Sequence, residues 1–286
     1  MKTLGLVANC EKPTAPEILR RIDRKAGALG LRLVACGQAG QYVPSASIVP
    51  EEAIVNSADA LMVLGGDGTM LRAVRVLQGA QTPVIGVNLG SLGFLASVSQ
   101  DSVDHALECL VAGSYSIQDR AVADGILLRD GREISRYRAL NDVVIDRGAS
   151  SRIVSLHLSI DKAEVVSSQC DGLILATPTG STGHALSAGG PVIHPESAVF
   201  VITLICPHAL SIRPMVVPDS QRIAVDIVRC AGEIRLTVDG QTGEALRIGD
   251  RIEFSRSKAD ARFIRLPDCN YFSILRQKLH LRGSSV

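Results

Sequence analysis

The sequence changes its pattern once, near residue 118, and this change restricts the chain to folds with two kinds of domain. Before that point, apolar strand-like runs alternate with amphipathic helical segments, which is typical of an open, mostly parallel sheet covered by helices. After it, short strand-like segments follow one another to about residue 265. We therefore predict an α/β domain over residues 1–117 and an all-β domain over residues 118–265.

The end of the chain returns to a helical pattern. Apolar residues at helical spacing (Tyr271, Phe272, Leu275, Leu279) predict a helix between Asp268 and Leu281. We expect residues 266–286 to return to the first domain and complete it. A chain of 286 residues is long enough to form two domains without disulfides or metals to hold its core.

Composition and charge argue against several classes of protein. Thirty Lys and Arg residues offset 29 Asp and Glu residues, so no positive field attracts nucleic acid. No apolar run approaches the ~20 residues of a membrane helix, and residues 4–8 are too few for a signal sequence. The seven cysteines are widely spaced, as is typical of free thiols in a reducing cytosol. We expect a cytoplasmic protein that binds neither nucleic acid nor membranes.

The first polar motif, Leu-Gly-Gly-Asp-Gly-Thr at residues 64–69, lies between a predicted buried strand and a predicted helix. Ligands of α/β sheets bind at this place, beyond the carboxyl ends of the strands. The glycines let the backbone approach a ligand, and we expect Thr69 to cap a helix whose free N–H groups favour phosphate. Asp67 is then a carboxylate among backbone amides, suited to handling a proton, a hydroxyl or a metal. The alternative is a tight turn with Asp as a turn residue.

Three further segments carry polar or flat side chains at predicted strand ends. Residues 88–94 follow the next strand, and Phe94 offers a flat face to a ligand or packs in the core. Residues 171–191 form a hydroxyl-rich turn and a short helix starting near Thr182, which suits hydroxyls, amides and a purine edge. Its hydrogen-bond donors and acceptors are Thr177, Thr179, Ser181, Thr182 and Ser187. The adjacent Asn141 and Asp142 can grip vicinal hydroxyls, although a turn is the simpler interpretation. Residues 238–241, Val-Asp-Gly-Gln, indicate a turn.

Together, these segments resemble the NAD kinase family. The motif at residues 65–69, the Asn141-Asp142 pair and the stretch 177–195 match the family's three signature regions in order. Residues 207–214 and the Tyr271-Phe272 pair are also similar, so the resemblance covers essentially the whole chain. The first motif is shared with diacylglycerol, sphingosine and phosphofructo-kinases, whereas the third region is specific.

The resemblance implies an α/β domain, a β-rich domain that binds NAD, and a homodimer or homotetramer. It implies that the γ-phosphoryl group of ATP, or in some members of polyphosphate, is transferred to the 2′-hydroxyl of the adenosine ribose of NAD to give NADP. A divalent metal ion, usually Mg²⁺, is required in the family. We expect this ion to arrive with ATP and assign it no protein ligands.

The resemblance also implies a role for individual residues. Asp67 would accept the 2′-hydroxyl proton, with Gly68 beside it, and Phe94 would lie against the adenine. Matching the motifs gives these NAD-binding residues: Asp67, Gly68, Arg72, Phe94, Asn141, Asp142, Arg152, Gln169, Asp171, Thr182, Gly183, His184, Ala185, Leu186, Ser187 and Gln241. For Arg72 and Arg152, a solvated surface charge is the alternative interpretation.

The chain departs from the family pattern at three positions. His184 stands where the family usually has tyrosine, Gly183 where it usually has alanine, and Gln169 where many bacterial members have arginine. Our hypothesis is that the His184 imidazole replaces the tyrosine ring by stacking. Because the cation at position 169 is lost, the choice between NAD and NADH stays open.

Two other functions fit parts of the sequence. A lipid or sugar kinase would share the Gly-Gly-Asp-Gly-Thr motif but would need an apolar groove or a basic sugar-phosphate clamp. A non-catalytic dinucleotide sensor could dispense with Asp67, which this chain retains.

Overall fold

The computed structural model describes residues 1–90, 93–148, 152–267 and 269–280. Their helices are α1 (Ala15–Ala28), α2 (Ile54–Ser57), α3 (Asp67–Leu77), α4 (Val103–Ala112), α5 (His184–Ser187) and α6 (Tyr271–Lys278). Their strands are β1 (Thr3–Ala8), β2 (Arg32–Ala35), β3 (Ser47–Ile48), β4 (Ala60–Gly65), β5 (Val84–Asn88), β6 (Val98–Ser99), β7 (Ser116–Arg120), β8 (Ala123–Arg129), β9 (Arg132–Ala139), β10 (Asp142–Asp146), β11 (Val154–Ile160), β12 (Ala163–Cys170), β13 (Gly172–Ala176), β14 (Val199–Ile205), β15 (Met215–Pro218), β16 (Ile223–Cys230), β17 (Arg235–Val238), β18 (Thr242–Ala245), β19 (Arg251–Arg256) and β20 (Ala261–Arg265).

These elements form two compact units. The first contains Met1–Asp119 and the described residues from Ala261 onward, and the second contains Arg120–Asp260. Each unit has its own hydrophobic core.

The first unit is built on a mostly parallel sheet with the strand order β3-β2-β1-β4-β5-β20-β7, and β6 also pairs with β5. Strands β1, β2, β4 and β5 run parallel to one another. Side chains of α1 and α4 share one core with alternate residues of these strands. All six residues of β4 are buried, which explains its continuous apolar sequence. The predicted open α/β sheet is confirmed.

The second unit contains two antiparallel sheets of six strands each. Their orders are β15-β14-β13-β10-β17-β18 and β12-β11-β16-β19-β8-β9. Residues of both sheets form a single core, with Phe200 from one sheet and Phe254 from the other. Helix α5 lies on the outer face of the sheet that contains β10 and β13, where Ala185 packs against Val144 and Ile174. The predicted all-β character of this region is confirmed.

The mostly parallel sheet of the first unit also contains strand β20. This strand lies at the end of the stretch, residues 118–265, that we expected in the β-rich domain. Phe263 of β20 pairs in parallel with Val84 of β5. Helix α6 follows, and the side chain of Asn270 caps it by accepting a 2.9 Å hydrogen bond from the backbone N–H of Phe272. The ends predicted for this helix, Asp268 and Leu281, lie outside the described residues.

The prediction that Thr69 caps helix α3 is wrong. The helix begins at Asp67, and the residue before it, Gly66, has the extended backbone of an N-cap. Thr69 therefore lies within the first turn. The physical reason is that Gly66, which has no side chain, adopts the N-cap geometry three residues earlier than Thr69.

All seven cysteines lie in described ranges, and all are free thiols. Burial raises the pKa of Cys36 and of Cys170 to about 11, so both thiols are protonated at neutral pH and weakly reactive. Over the described part of the chain, no helix combines the length and the apolar character that crossing a membrane requires.

Three described hairpins of the second unit contain a pair of residues with positive φ, and in two of them this pair is the whole turn. Asp130 and Gly131 join β8 to β9 with φ values of 51° and 73°. Asp161 and Lys162 join β11 to β12 with φ values of 47° and 71°. Both are tight turns that match the twist of a hairpin and favour glycine at the second position. Lys162 therefore occupies a position where its side chain is unfavourable.

We expect Lys162→Gly to raise the free energy of unfolding by about 1 kcal/mol, because glycine adopts positive φ without steric strain. The reciprocal variant Gly131→Lys should lower it by about the same amount. Urea unfolding followed by circular dichroism measures both. Changes of the same sign in the two variants would contradict this account of the turns.

Candidate active site

The carboxylate of Asp67 bridges two segments of the first unit. Asp67 is the first residue of α3, immediately after the buried strand β4. Its Oδ2 accepts a 3.0 Å hydrogen bond from the backbone N–H of Phe94, and its Oδ1 accepts one of 3.0 Å from that of Leu95. A carboxylate oxygen can accept a second hydrogen bond. The partly exposed Asp67 is therefore fixed in position and keeps acceptor capacity for a ligand.

Close packing around Asp67 explains a glycine in the neighbouring segment. A Cβ atom at Gly93 would lie 2.0 Å from Oδ1 of Asp67, which is less than any contact allows. By contrast, a Cβ atom at Gly90, in the same segment, would have nothing within 4 Å. Residues 91 and 92 between them, which belong to the predicted segment 88–94, lie outside the described residues.

The other predicted site residues of the first unit have different environments. Gly68 is exposed beside it, and Phe94, which holds Asp67 through its backbone, is half-buried. Arg72 lies one turn further along α3. Its guanidinium donates hydrogen bonds of 3.0 Å and 2.7 Å to Oε1 of Glu51, so its charge is paired within the protein.

In the second unit, Asn141 and Asp142 stand at the start of β10, as predicted. The carboxylate of Asp239 accepts hydrogen bonds from three successive backbone N–H groups there, those of Leu140 (3.1 Å), Asn141 (2.8 Å) and Asp142 (3.2 Å). Asp239 belongs to the turn of residues 238–241, of which only Gln241 was predicted to bind NAD. Sequence reasoning missed Asp239.

Asn141, Asp142 and Asp239 line a cavity of about 260 Å³. The cavity is acidic, with Asp142, Asp146 and Asp239 in its wall, and the exposed His184 lies at its edge. Oδ1 of Asn141 is buried and has no hydrogen-bond partner. A buried acceptor without a partner is unfavourable, so this atom indicates a ligand that donates a hydrogen bond.

Burial, and then the charge of Asp239, raise the pKa of Asp142 to about 7. The side chain is therefore about half protonated at neutral pH. A protonated carboxyl group can donate as well as accept a hydrogen bond, which extends the range of ligand groups that it can bind.

The hydroxyls of the third segment have a different role from the one that the sequence suggested. Thr177 Oγ1 donates to the carbonyl of Leu140 (2.5 Å) and accepts from the N–H of Gly180 (3.2 Å). Ser181 Oγ donates to the carbonyl of Pro178 (2.7 Å) and accepts from the N–H of Ile193 (3.0 Å). Both side chains are fully buried. They shape the turn rather than face a ligand.

This turn lies directly against the start of β10. A Cβ atom at Gly180 would lie 2.1 Å from the carbonyl oxygen of Asn141, so only glycine permits the approach. A Cβ atom at Gly183 would lie 3.8 Å from Oδ2 of Asp142 and 3.9 Å from Nδ2 of Asn141. The structure thus brings together Asn141, Asp142, Gly183 and His184.

The remaining predicted site residues of this unit differ from one another in burial and in hydrogen-bond partners. Asp171 forms a 3.0 Å ion pair with Nε of Arg147, a partner that no sequence pattern indicates. Ala185 is buried in the core, and Thr182 Oγ1 bonds locally to the carbonyl of Thr179. Leu186 is half-buried, and four polar residues are exposed: Arg152, Gln169, Ser187 and Gln241.

The guanidinium of Arg152 donates a 2.9 Å hydrogen bond to the carbonyl of Ala231. Among the residues that the structure describes, no group of three or more His, Cys, Asp or Glu side chains is arranged to hold a metal ion.

Comparison with known proteins gives matches over both units. The model of the ATP-NAD kinase N-terminal domain matches residues 4–115, and that of the ATP-NAD kinase C-terminal domain matches residues 140–266. A protein of Moorella thermoacetica named NAD kinase is 42% identical, over 99% of this chain and 91% of its own length. One of Syntrophotalea carbinolica with the same name is 39% identical over 98% of both chains.

Solved structures give the same result. The yeast NADH kinase complexed with NADH superposes with a TM-score of 0.91 at 25% identity, covering 100% of this chain and 89% of that one. An NAD kinase from Archaeoglobus fulgidus in complex with ATP gives a TM-score of 0.78 at 25% identity, with coverage of 98% and 100%.

The fold and these matches define a kinase with one α/β and one β-rich domain. Because family models match both parts of the chain, the lipid or sugar kinase alternative, which shares only the motif around Asp67, is set aside. The chain belongs to the ATP-NAD kinase family.

We expect Gly93→Ala to displace the Asp67 carboxylate, because the added methyl group would overlap with Oδ1. A displacement of about 1 Å at a reacting group can lower turnover by ~10²-fold. Gly90→Ala is the matched control, since its methyl group would meet no neighbour. Steady-state assays of NADP formation measure both variants, and equal turnover in the two would contradict this role of Gly93.

The pKa of Asp142 predicts a pH-dependent stability difference. In the folded state its pKa is about 7, above its ordinary value of 3.8, so the unfolded chain releases this proton first. The group therefore destabilises the fold increasingly as pH rises from about 4 to 7. We expect Asp142→Asn to gain stability relative to the unsubstituted protein over this range. Urea unfolding of both proteins at several pH values tests this, and a pH-independent difference would count against it.

Proposed function

We propose that this chain is an NAD kinase in which Asp67 accepts the proton of the 2′-hydroxyl of the adenosine ribose while the γ-phosphoryl group of ATP is transferred to that oxygen. The product is NADP. The observation that carries the proposal is the fixed position of the Asp67 carboxylate. The backbone amides of Phe94 and Leu95 each donate a hydrogen bond to one of its two oxygens.

The chemistry suits a fixed carboxylate. Phosphoryl transfer passes through a loose transition state in most analyses, so catalysis depends mainly on positioning and on neutralising charge. The remaining lone pairs of Asp67 can accept the ribose hydroxyl and hold its oxygen in line with phosphorus. As the new P–O bond forms and the bond to the leaving ADP breaks, the hydroxyl proton passes to Asp67. A weak base is sufficient because the proton leaves late.

The second unit supplies polar groups for the rest of NAD. Oδ1 of Asn141 needs a donor, and Asp142 can accept or donate, so together they suit sugar hydroxyls and base edges. We propose these residues as the NAD-binding set: Asp67, Gly68, Arg72, Phe94, Asn141, Asp142, Arg152, Gln169, Asp171, Thr182, Gly183, His184, Ala185, Leu186, Ser187 and Gln241. For Ala185, which is buried, the contact would come through its backbone.

We propose that Mg²⁺ reaches the site bound to the phosphates of ATP, where it supplies charge neutralisation. In proteins Mg²⁺ is usually bound through one or two carboxylates together with substrate phosphates and water, so it can arrive with ATP. In this proposal the residues of the chain orient the acceptor hydroxyl and remove its proton, and they do not bind the metal through a site of their own.

We further propose a cytoplasmic homodimer or homotetramer that binds neither nucleic acid nor membranes. The seven free thiols and the net charge of +1 support the location and the absence of a polyanion partner. The exposed apolar side chains of Leu210 and Val216 support an interface with a second copy.

We expect Asp67→Asn to lower turnover by about 10²–10⁴-fold, the usual contribution of general-base catalysis, while NAD still binds. Coupled assay of NADP in the presence of NAD, ATP and Mg²⁺ gives turnover, and calorimetry gives NAD affinity. Asp101→Asn, at an exposed position of the same unit, is the control for the loss of one carboxylate. Near-normal turnover of Asp67→Asn would show that Asp67 is not the base.

A further inference from the structure

We propose that Asp239 is a positioning residue for NAD binding, because its carboxylate fixes the backbone that carries Asn141 and Asp142. The inference rests on the proposed function, since the effect it predicts is on NAD. It concerns a residue that neither the motifs nor the resemblance singled out.

The contacts of Asp239 are unusually concentrated for a turn residue. One oxygen accepts from the N–H groups of both Asn141 and Asp142, and the other accepts from that of Leu140. In return, the backbone N–H of Asp239 donates a 2.9 Å hydrogen bond to the carbonyl of Asp142. Hydrogen bonds to a carboxylate are roughly twice as strong as neutral ones. The three residues that precede and start β10 are thus held from a single side chain.

Turn geometry alone does not require a carboxylate at this position. Asp239 and Gly240 have φ values of 50° and 65°, nearly the same as Asp130 and Gly131. Both hairpins contain an Asp-Gly pair with positive φ, and the loop at Asp239 is one residue longer because Val238 pairs with Thr242 whereas Arg129 pairs with Arg132. Glycine adopts positive φ without strain, so this backbone does not depend on a carboxylate. Asp130 lies exposed at its hairpin tip, whereas Asp239 faces the neighbouring strand because Val143 pairs with Val238.

The strand beyond the turn is anchored as well. Glu244 on β18 accepts hydrogen bonds from Ser135 (2.5 Å) and from the hydroxyl of Tyr137, both on β9. Strand β9 ends at Ala139, one residue before Leu140. The Asp239 turn is therefore tied to the same stretch of backbone from two directions, which makes it a rigid support.

This support matters because the ligand groups follow the backbone. The side chains of Asn141, with its unpartnered Oδ1, and of Asp142 line the cavity and lie close to Gly183. A change in the direction of the backbone at residues 140–142 would move both groups together. Misplacement of about 1 Å can reduce the rate ~10²-fold even when the altered residue does not touch the reacting atoms.

The test compares the two Asp-Gly turns directly. Asp239→Gly removes the carboxylate and its three hydrogen bonds, so we expect a lower Tm, while glycine at this positive φ lets the turn and the chain still fold. We expect the KM for NAD to rise at least about tenfold, with the KM for ATP unchanged. Asp130→Gly is the control for the same substitution at another Asp-Gly turn, and it should leave both KM values unaltered. Asp239→Asn, which retains one acceptor oxygen, should give an intermediate KM for NAD.

An unchanged KM for NAD in Asp239→Gly would overturn the inference, as would an equal rise in Asp130→Gly. Should Asp239→Gly fail to fold, the KM of Asp239→Asn decides the question in the same way. The failure of the proposed function is distinguishable, because the unsubstituted protein would then form no NADP. If the unsubstituted protein forms NADP and Asp239→Gly leaves the KM for NAD unchanged, only this inference is contradicted and the proposed function stands.

Discussion

The parallel pairing of β4 with β5 is the constraint on which the arrangement around Asp67 depends. Gly65 pairs with Asn88, so the segments that follow the two strands leave the sheet side by side. This brings the amides of Phe94 and Leu95 within hydrogen-bond distance of Asp67, 27 and 28 residues earlier in the chain. The carboxylate both holds the second segment and keeps free lone pairs, so one interaction serves the fold and the proposed chemistry.

The second unit repeats this principle with other residues. Strand β10 lies between β13 and β17, so the turn after β13 and the turn after β17 both meet its first residues. Gly180 approaches the carbonyl of Asn141 from one side, and the Asp239 carboxylate binds the amides from the other. In both units a carboxylate that accepts backbone N–H groups fixes a loop at the end of a strand, which gives rigidity without a metal or a disulfide.

The sequence predicted the classes of both domains, the motif around Asp67 and the position of Asn141 and Asp142 at a strand start. It was wrong about Thr69, because a glycine cap leaves no side-chain signal. It was also wrong about the role of Thr177 and Ser181, whose hydroxyls donate to nearby backbone carbonyls. The sequence does not distinguish such a hydroxyl from one that faces a ligand. The role of Asp239 could not be predicted from the sequence, because its three hydrogen-bond partners lie nearly 100 residues earlier in the chain.

What the sequence by itself determined is therefore local: hydrophobic periodicity, glycine positions and short motifs, whose physical causes act between residues close together in the chain. What only the tertiary structure decided is which polar groups satisfy one another across strands. That choice depends on strand order and register, which set distances between remote residues. The placement of β20 in the first sheet and the binding of β10 by Asp239 are both consequences of such pairing.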